Sequence, residues 1–134
     1  VEWVVSHHVE APDEAALKLL GVRQDQSPDI PVLPHGAAAV RLSASDEELR
    51  SGRICCGWPT TFRSNSAAWI HGSFALGSSR KALPLPEEKD TNASVDKKWN
   101  RMLLEGPIAQ SMRSLIVHCT TLVLKKELDR TRYF

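Results

Sequence analysis

Three cysteines, five histidines and the run Ile70-His71-Gly72-Ser73 are the residues here whose types could do catalytic or metal chemistry. Their spacing turns most of them away from it. Cys55 and Cys56 are adjacent and Cys119 stands alone. Neighbouring cysteines rarely bridge without strain, so three reduced thiols are expected, filling small apolar sites in an intracellular protein. Zinc wants paired ligands such as C-x-x-C or H-x-x-x-H, and His7-His8, His35, His71 and His118 supply no such pair. No metal is therefore expected. His71 beside Ser73 suggests a hydrolase, but no G-x-S-x-G elbow accompanies it and no acid stands at an interpretable position. A Walker-type phosphate loop and a dinucleotide fingerprint are also missing, so the chain by itself is not expected to be an enzyme.

The elements that must position these residues alternate early and turn helical late. Glu2 to Ser6 reads as a strand. Pro12-Asp13-Glu14 opens a short helix with Pro12 in its first turn, and Gly21 is its expected stop. Residues 22–31 read as a loop. Val32 to Leu42 suggests a buried strand, although the alanines would also suit a helix. Ser45 to Glu48 is a capping-box pattern for a short helix ending near Gly52. Arg53 to Trp58 reads as a core strand, Thr60 to Ser66 as a polar turn, and Ala67 to Leu76 as a strand. Its residues Ala68, Ile70, Gly72, Phe74 and Leu76 share one face. Residues 77–96 form a long loop, of a size usually functional or mobile. Ser94 or Asp96 can cap the next helix, with Trp99, Met102 and Leu103 on its apolar side. Gly106-Pro107 is expected to break that helix, and Pro107 to start another whose apolar positions run from Ile108 to Val123. The order predicts an α+β domain: a mixed or mainly antiparallel sheet of four to five strands, with C-terminal helices packed on one face.

The chain has 134 residues, 42% hydrophobic and 25% charged, which suits one globular domain and not a disordered or collagenous chain. We assign 1–128 to a single domain and 129–134 to a C-terminal tail. No apolar run approaches the roughly 18 residues that cross a bilayer. The net charge of +1 gives no general case for nucleic acid or an anionic membrane. Residues 1–67 hold 6 basic and 9 acidic side chains and residues 68–134 hold 11 and 7, an asymmetry that solvated helix faces explain. Nucleic-acid binding would rest on that basic half with Arg130 and Arg132, and is not expected. The opening at Val1, on residues that already read as a strand, leads us to expect an excerpt of a larger chain.

One ordered set of motifs resembles a known family. Gly52-Arg53-Ile54-Cys55-Cys56 is followed by Ile70-His71-Gly72-Ser73-Phe74-Ala75-Leu76-Gly77-Ser78-Ser79-Arg80-Lys81. Trp99-Asn100-Arg101-Met102-Leu103-Leu104-Glu105 and Ile108-Ala109 come next. The series resembles the large repeat of sacsin-like proteins. There a Phe-Cys-Phe-Leu-Pro-Leu-Pro type run precedes Val-Asn-Gly-x-Phe-x-Leu-Ser-Ser-x-Arg-Arg and a Trp-Asn-x-Leu-Leu helix. Trp3-Val4-Val5 is similar to the family's opening strand, and Leu33-Pro34 through Val40 to its Pro-x-x-x-Val-Ala run. The likeness spans about residues 1–120. It departs at Trp58-Pro59-Thr60-Thr61, which replaces the Leu-Pro-Leu-Pro run, and at Lys81, which replaces the second Arg.

The resemblance implies a non-catalytic module of a cytoplasmic, chaperone-type protein. It would follow an ATPase domain like that of the ninety-kilodalton heat-shock chaperone (the GHKL type) and couple it to client or partner contacts. The alternative is a protein-interaction scaffold with no functional ATPase partner. ATP and Mg would belong to the preceding domain, and this segment would hold no cofactor. Its implied partners are that ATPase domain and client proteins or other chaperones, without nucleic acid or membrane. In such ATPases the second domain can supply a cation to the γ-phosphate, and Arg80 and Lys81 are the candidates. Gly72, Phe74, Trp99 and Asn100 are the motif residues expected to be structural. Phe74 and Trp99 should anchor the core. Asn100 should either cap or bridge to the loop, or lie on the surface as a free amide.

Overall fold

A computed structural model describes residues 2–26, 32–42, 51–87 and 90–125. Five strands form one sheet: β1 (Trp3–Val9), β2 (His35–Arg41), β3 (Arg53–Cys56), β4 (Trp58–Arg63) and β5 (Trp69–Gly72). Their spatial order is β1-β2-β5-β3-β4. The β3–β5 pairing is parallel and every other pairing is antiparallel. Helices α1 (Glu14–Gln26), α2 (Val95–Leu103) and α3 (Ala109–Leu124) complete the described elements, with a π-helical turn, Leu104–Ile108, joining the last two. The architecture is α+β, as the sequence pattern predicts. The expected helix at Ser45 to Gly52 falls mostly outside the described residues, as do part of the 22–31 loop and the 129–134 tail.

Period-two alternation explains which way the strands face. In β2, Gly36, Ala38 and Val40 are buried while the residues between them are half-buried. The buried side meets the helices. Ala38, Val40, Ala68, Leu115 and Cys119 form one core cluster; Val32, Phe74, Ala75, Trp99, Leu103 and Ile108 form the other. Gly36 is needed where the chains come closest, because a Cβ there would lie 2.6 Å from the backbone nitrogen of Ile108. Its carbonyl accepts a hydrogen bond from the buried hydroxyl of Ser111 at 2.8 Å. The sheet is thereby tied directly to the start of α3.

Four local expectations are corrected. Pro12 lies outside α1, and Asp13 caps the helix, its Oδ1 accepting the Ala16 N–H at 2.7 Å. Gly21 does not stop α1, because residues beyond it are held by tertiary contacts. Arg23 pairs with Asp96 on α2 at 2.9 Å, and the Gln24 Oε1 accepts the Val32 N–H at 3.0 Å. Together these outweigh the roughly 1 kcal/mol that an internal glycine costs a helix. Trp58–Arg63, whose last four residues were expected as turn, is strand β4. The chain reverses instead at Gly57, whose φ is +70°, and Thr60, Thr61 and Phe62 are good strand formers. Gly106-Pro107 does not break the helix either. A widened π turn carries the chain through Pro107 and gives its ring room against the preceding turn.

β5 is shorter than its alternating pattern. It ends at Gly72, and Ser73 to Leu76 leave the sheet. The reason lies 25 residues away, where side chains of α2 take the backbone groups that a longer ladder would use.

Candidate functional site

Trp99 and Asn100 are neighbours on α2 and both are fully buried. The helix that aims them inward starts at Ser94, whose Oγ accepts the Lys97 N–H. Trp99 Nε1 donates to the Ser73 carbonyl at 2.8 Å. Asn100 Oδ1 accepts the Ala75 N–H at 2.7 Å, and its Nδ2 donates to the carbonyls of Ala75 and Pro84, each at 2.8 Å. Asn100 is therefore a bridge to the loop and not a surface amide. Phe74 is buried between these contacts. A Cβ on Gly72 would lie 3.4 Å from the Phe74 ring and 3.3 Å from the Ile108 side chain. The four motif residues Gly72, Phe74, Trp99 and Asn100 thus form one buried group from which the following loop is suspended.

That loop presents the two candidate cations. Gly77 accepts the Arg80 N–H at 2.7 Å and donates its own N–H to the Ala82 carbonyl at 3.0 Å, closing a tight turn. Arg80 sits in the left-handed region, with φ of +56°, a conformation that L-residues hold only when their surroundings impose it. Its Nη2 donates to the Cys56 carbonyl at 2.9 Å, anchoring the guanidinium beside the end of β3. Lys81 is exposed, and among the described residues its one hydrogen bond is from its backbone N–H to Ser79 Oγ. The structure places both cations at the surface, Arg80 on a fixed base and Lys81 without one. Further along, Lys97 pairs with Asp90 at 2.8 Å, and that hydrogen bond raises the pKa of the lysine.

The three cysteines are unbridged. Cys55 and Cys56 are successive strand residues and point to opposite faces. Burial pushes all three thiols up, at Cys56 against the opposing pull of Arg80. An open apolar pocket of about 240 Å³, lined by Val40, Ala68, Met112, Leu115 and Cys119 among others, shares no residue with the Arg80 loop. Among the described residues, no group of three or more His, Cys, Asp or Glu is placed to hold a metal ion.

The sheet face away from the helices holds an arrangement that motif spacing does not reveal. His7, Ala37, His71, Cys55 and Pro59 lie in one row across the five strands. The His35 ring lies 5.8 Å from that of His7 and 5.5 Å from that of His71. Trp3 and Trp69 meet edge to face at 5.8 Å, across the strand that carries Ala39. Small residues on β2 leave room for large rings from β1 and β5 to close over it. His71 also accepts the Gly57 N–H at Nε2, 3.2 Å away. Burial lowers the pKa of His71, with His35 and then His7 acting in the same direction. Strand register would have found this group, since the three histidines occupy odd positions on strands that pair in phase.

No protein-family model, curated protein or solved structure matches this chain.

Proposed function

We propose that the chain is a non-catalytic module of a sacsin-like, chaperone-type protein, lying after an ATPase domain and coupling it to client or partner contacts. The observation that supports this most directly is the setting of Arg80. A strained backbone, a tight turn and the Cys56 carbonyl hold its guanidinium at the surface, and the loop behind it hangs from buried Asn100. An arginine so held has lost much of the freedom that a solvated side chain would lose on meeting a phosphate, and its planar fork suits that ligand better than an ammonium. In this reading Arg80 approaches the γ-phosphate of ATP bound with Mg in the preceding domain, and Lys81 adds charge nearby. The module holds no nucleotide itself and acts in the cytoplasm. No helix of the described residues is long and apolar enough to cross a membrane.

The test is ATP turnover by the full-length protein carrying Arg80→Ala, with Arg80→Lys beside it. Loss of turnover in both, with unchanged unfolding midpoints, supports a positioned guanidinium. Unchanged turnover with the fold intact removes the idea. One observation favours the alternative, an interaction scaffold without an active ATPase partner. The open sheet face leaves Trp3, Val5 and Val9 of β1 exposed by 41%, 64% and 53%, apolar surface of a kind that partner proteins cover. An upstream domain lacking its catalytic glutamate would decide for the scaffold.

A further inference from the structure

His71 joins two parts of the sheet. Its ring belongs to β5, while its Nε2 accepts a hydrogen bond from the backbone N–H of Gly57, at the reversal between β3 and β4. A backbone N–H only donates, so Nε2 must carry the lone pair and Nδ1 the proton. The bond therefore exists only with the neutral ring. Protonation places an N–H at Nε2, facing the N–H of Gly57, and two donors cannot share one bond.

The surroundings oppose that proton. From β2, His35 faces the ring at 5.5 Å, and beyond it His7 of β1 stands 5.8 Å from His35. From β3, Cys55 is the register partner of His71, and Arg53 occupies the same face two residues earlier. Arg63 of β4 pairs with Arg53, and Pro59 with Cys55. Arg80 reaches the Cys56 carbonyl, next to the turn. Arg41 ends β2 on this face, across from Trp3. No carboxylate occupies an open-face position of the five strands.

We infer that the His71–Gly57 hydrogen bond is an acid-released latch on the β3–β4 hairpin. At neutral pH the imidazole holds the Gly57 turn against β5. On acidification a solvent proton binds Nε2, the bond breaks, and the charged ring turns from His35 toward water. The turn at Gly57 then lacks its cross-strand hold, and the edge strand β4 loosens with it. The lowered affinity of His71 for a proton agrees with this direction.

The test uses the intact chain, nitrogen and amide NMR of His71 and Gly57, and hydrogen exchange from pH 8 to 5. The latch requires the Nδ1–H tautomer at pH 8 and a single midpoint, below the ordinary histidine value of about 6.5, shared by the His71 ring and the Gly57 amide. Gly57 protection should fall by about two- to tenfold through that midpoint, the range one net hydrogen bond allows. His71→Phe should remove the pH dependence of Gly57. His35→Ala, which keeps His71 in place, should move the midpoint up. A Gly57 amide that ignores His71 ionisation, or that titrates alike in His71→Phe, overturns the latch. So does an Nε2–H tautomer at pH 8 or an unmoved midpoint in His35→Ala.

Discussion

Replacing Asn100 by Leu keeps the branching of the side chain and removes every polar atom from it. Asn100 is fully buried and satisfies both backbone groups of Ala75, itself 2% exposed, and the carbonyl of Pro84. The substitution leaves the Ala75 N–H and C=O buried without partners. Each orphan costs about 1–3 kcal/mol, and the half-buried Pro84 carbonyl, which water can reach, costs less. The two Ala75 groups alone are therefore expected to cost about 2–6 kcal/mol, a large part of the roughly 5–15 kcal/mol that holds a domain together. Urea unfolding measures it as a fall in midpoint at constant slope. Asn100→Asp sharpens the test. A carboxylate there would face two carbonyl oxygens, whereas the protonated acid can donate to one of them. That variant binds a proton more tightly when folded, so its stability should rise as pH falls, opposite to an ordinary surface aspartate. A loss below about 1 kcal/mol in Asn100→Leu, the scale of ordinary surface substitutions, would refute the claim that one amide suspends the loop.

Gly36→Ala should destabilise the fold by about 1–3 kcal/mol or more, since its Cβ would meet the backbone of Ile108 as well as its side chain, and the backbone cannot turn aside; thermal unfolding reads this directly. Trp99→Phe keeps most of the apolar contact and removes the Nε1–H donated to Ser73, so a smaller loss of about 1–2 kcal/mol is expected by the same urea measurement. His71 binds a proton less tightly in the folded chain than in the unfolded one. Its contribution to stability is therefore present above the unfolded histidine value and lost as pH falls through the lower, folded one; His71→Phe should flatten that part of the stability–pH curve. The three thiols, all pushed up by burial, should alkylate slowly at pH 7 in the folded chain and quickly in urea.

Local pattern carried the sequence reading wherever neighbours in the chain decide structure. Small apolar residues and alternation suggested β2 as a buried strand, Ser94 was one of two expected caps of α2, and the spacing of Trp99 and Leu103 placed them inward. Strands before helices set the α+β class. Failures came where a distant group decided. Ser73 to Leu76 alternate like a strand, yet Trp99 and Asn100, far along the chain, draw their backbone away. β4 was hidden because one residue, Gly57, reverses an otherwise continuous strand-forming run. Gly21 looked like a helix end until Arg23 found Asp96. Arg80 and Lys81 were visible as charges, but the left-handed backbone and the Cys56 anchor that distinguish them were not. The histidine group needed the pairing of three strands, and no single-strand pattern contains that.

The π turn has a geometric consequence for the helix it interrupts. An α-helix advances about 100° per residue. Counted from Leu103 along a regular helix, Ser111, Leu115 and Cys119 would lie about 80–160° around the axis, yet all four side chains are buried. The wide turn Leu104–Ile108 absorbs about one extra residue and winds the later stripe back into line. The helix in effect carries a supernumerary residue whose insertion is hidden from both ends. Excising Pro107 would leave a straight rod with both stripes still in phase, whereas straightening the same turn at full length would rotate the buried stripe of α3 by about 100° away from its present facing.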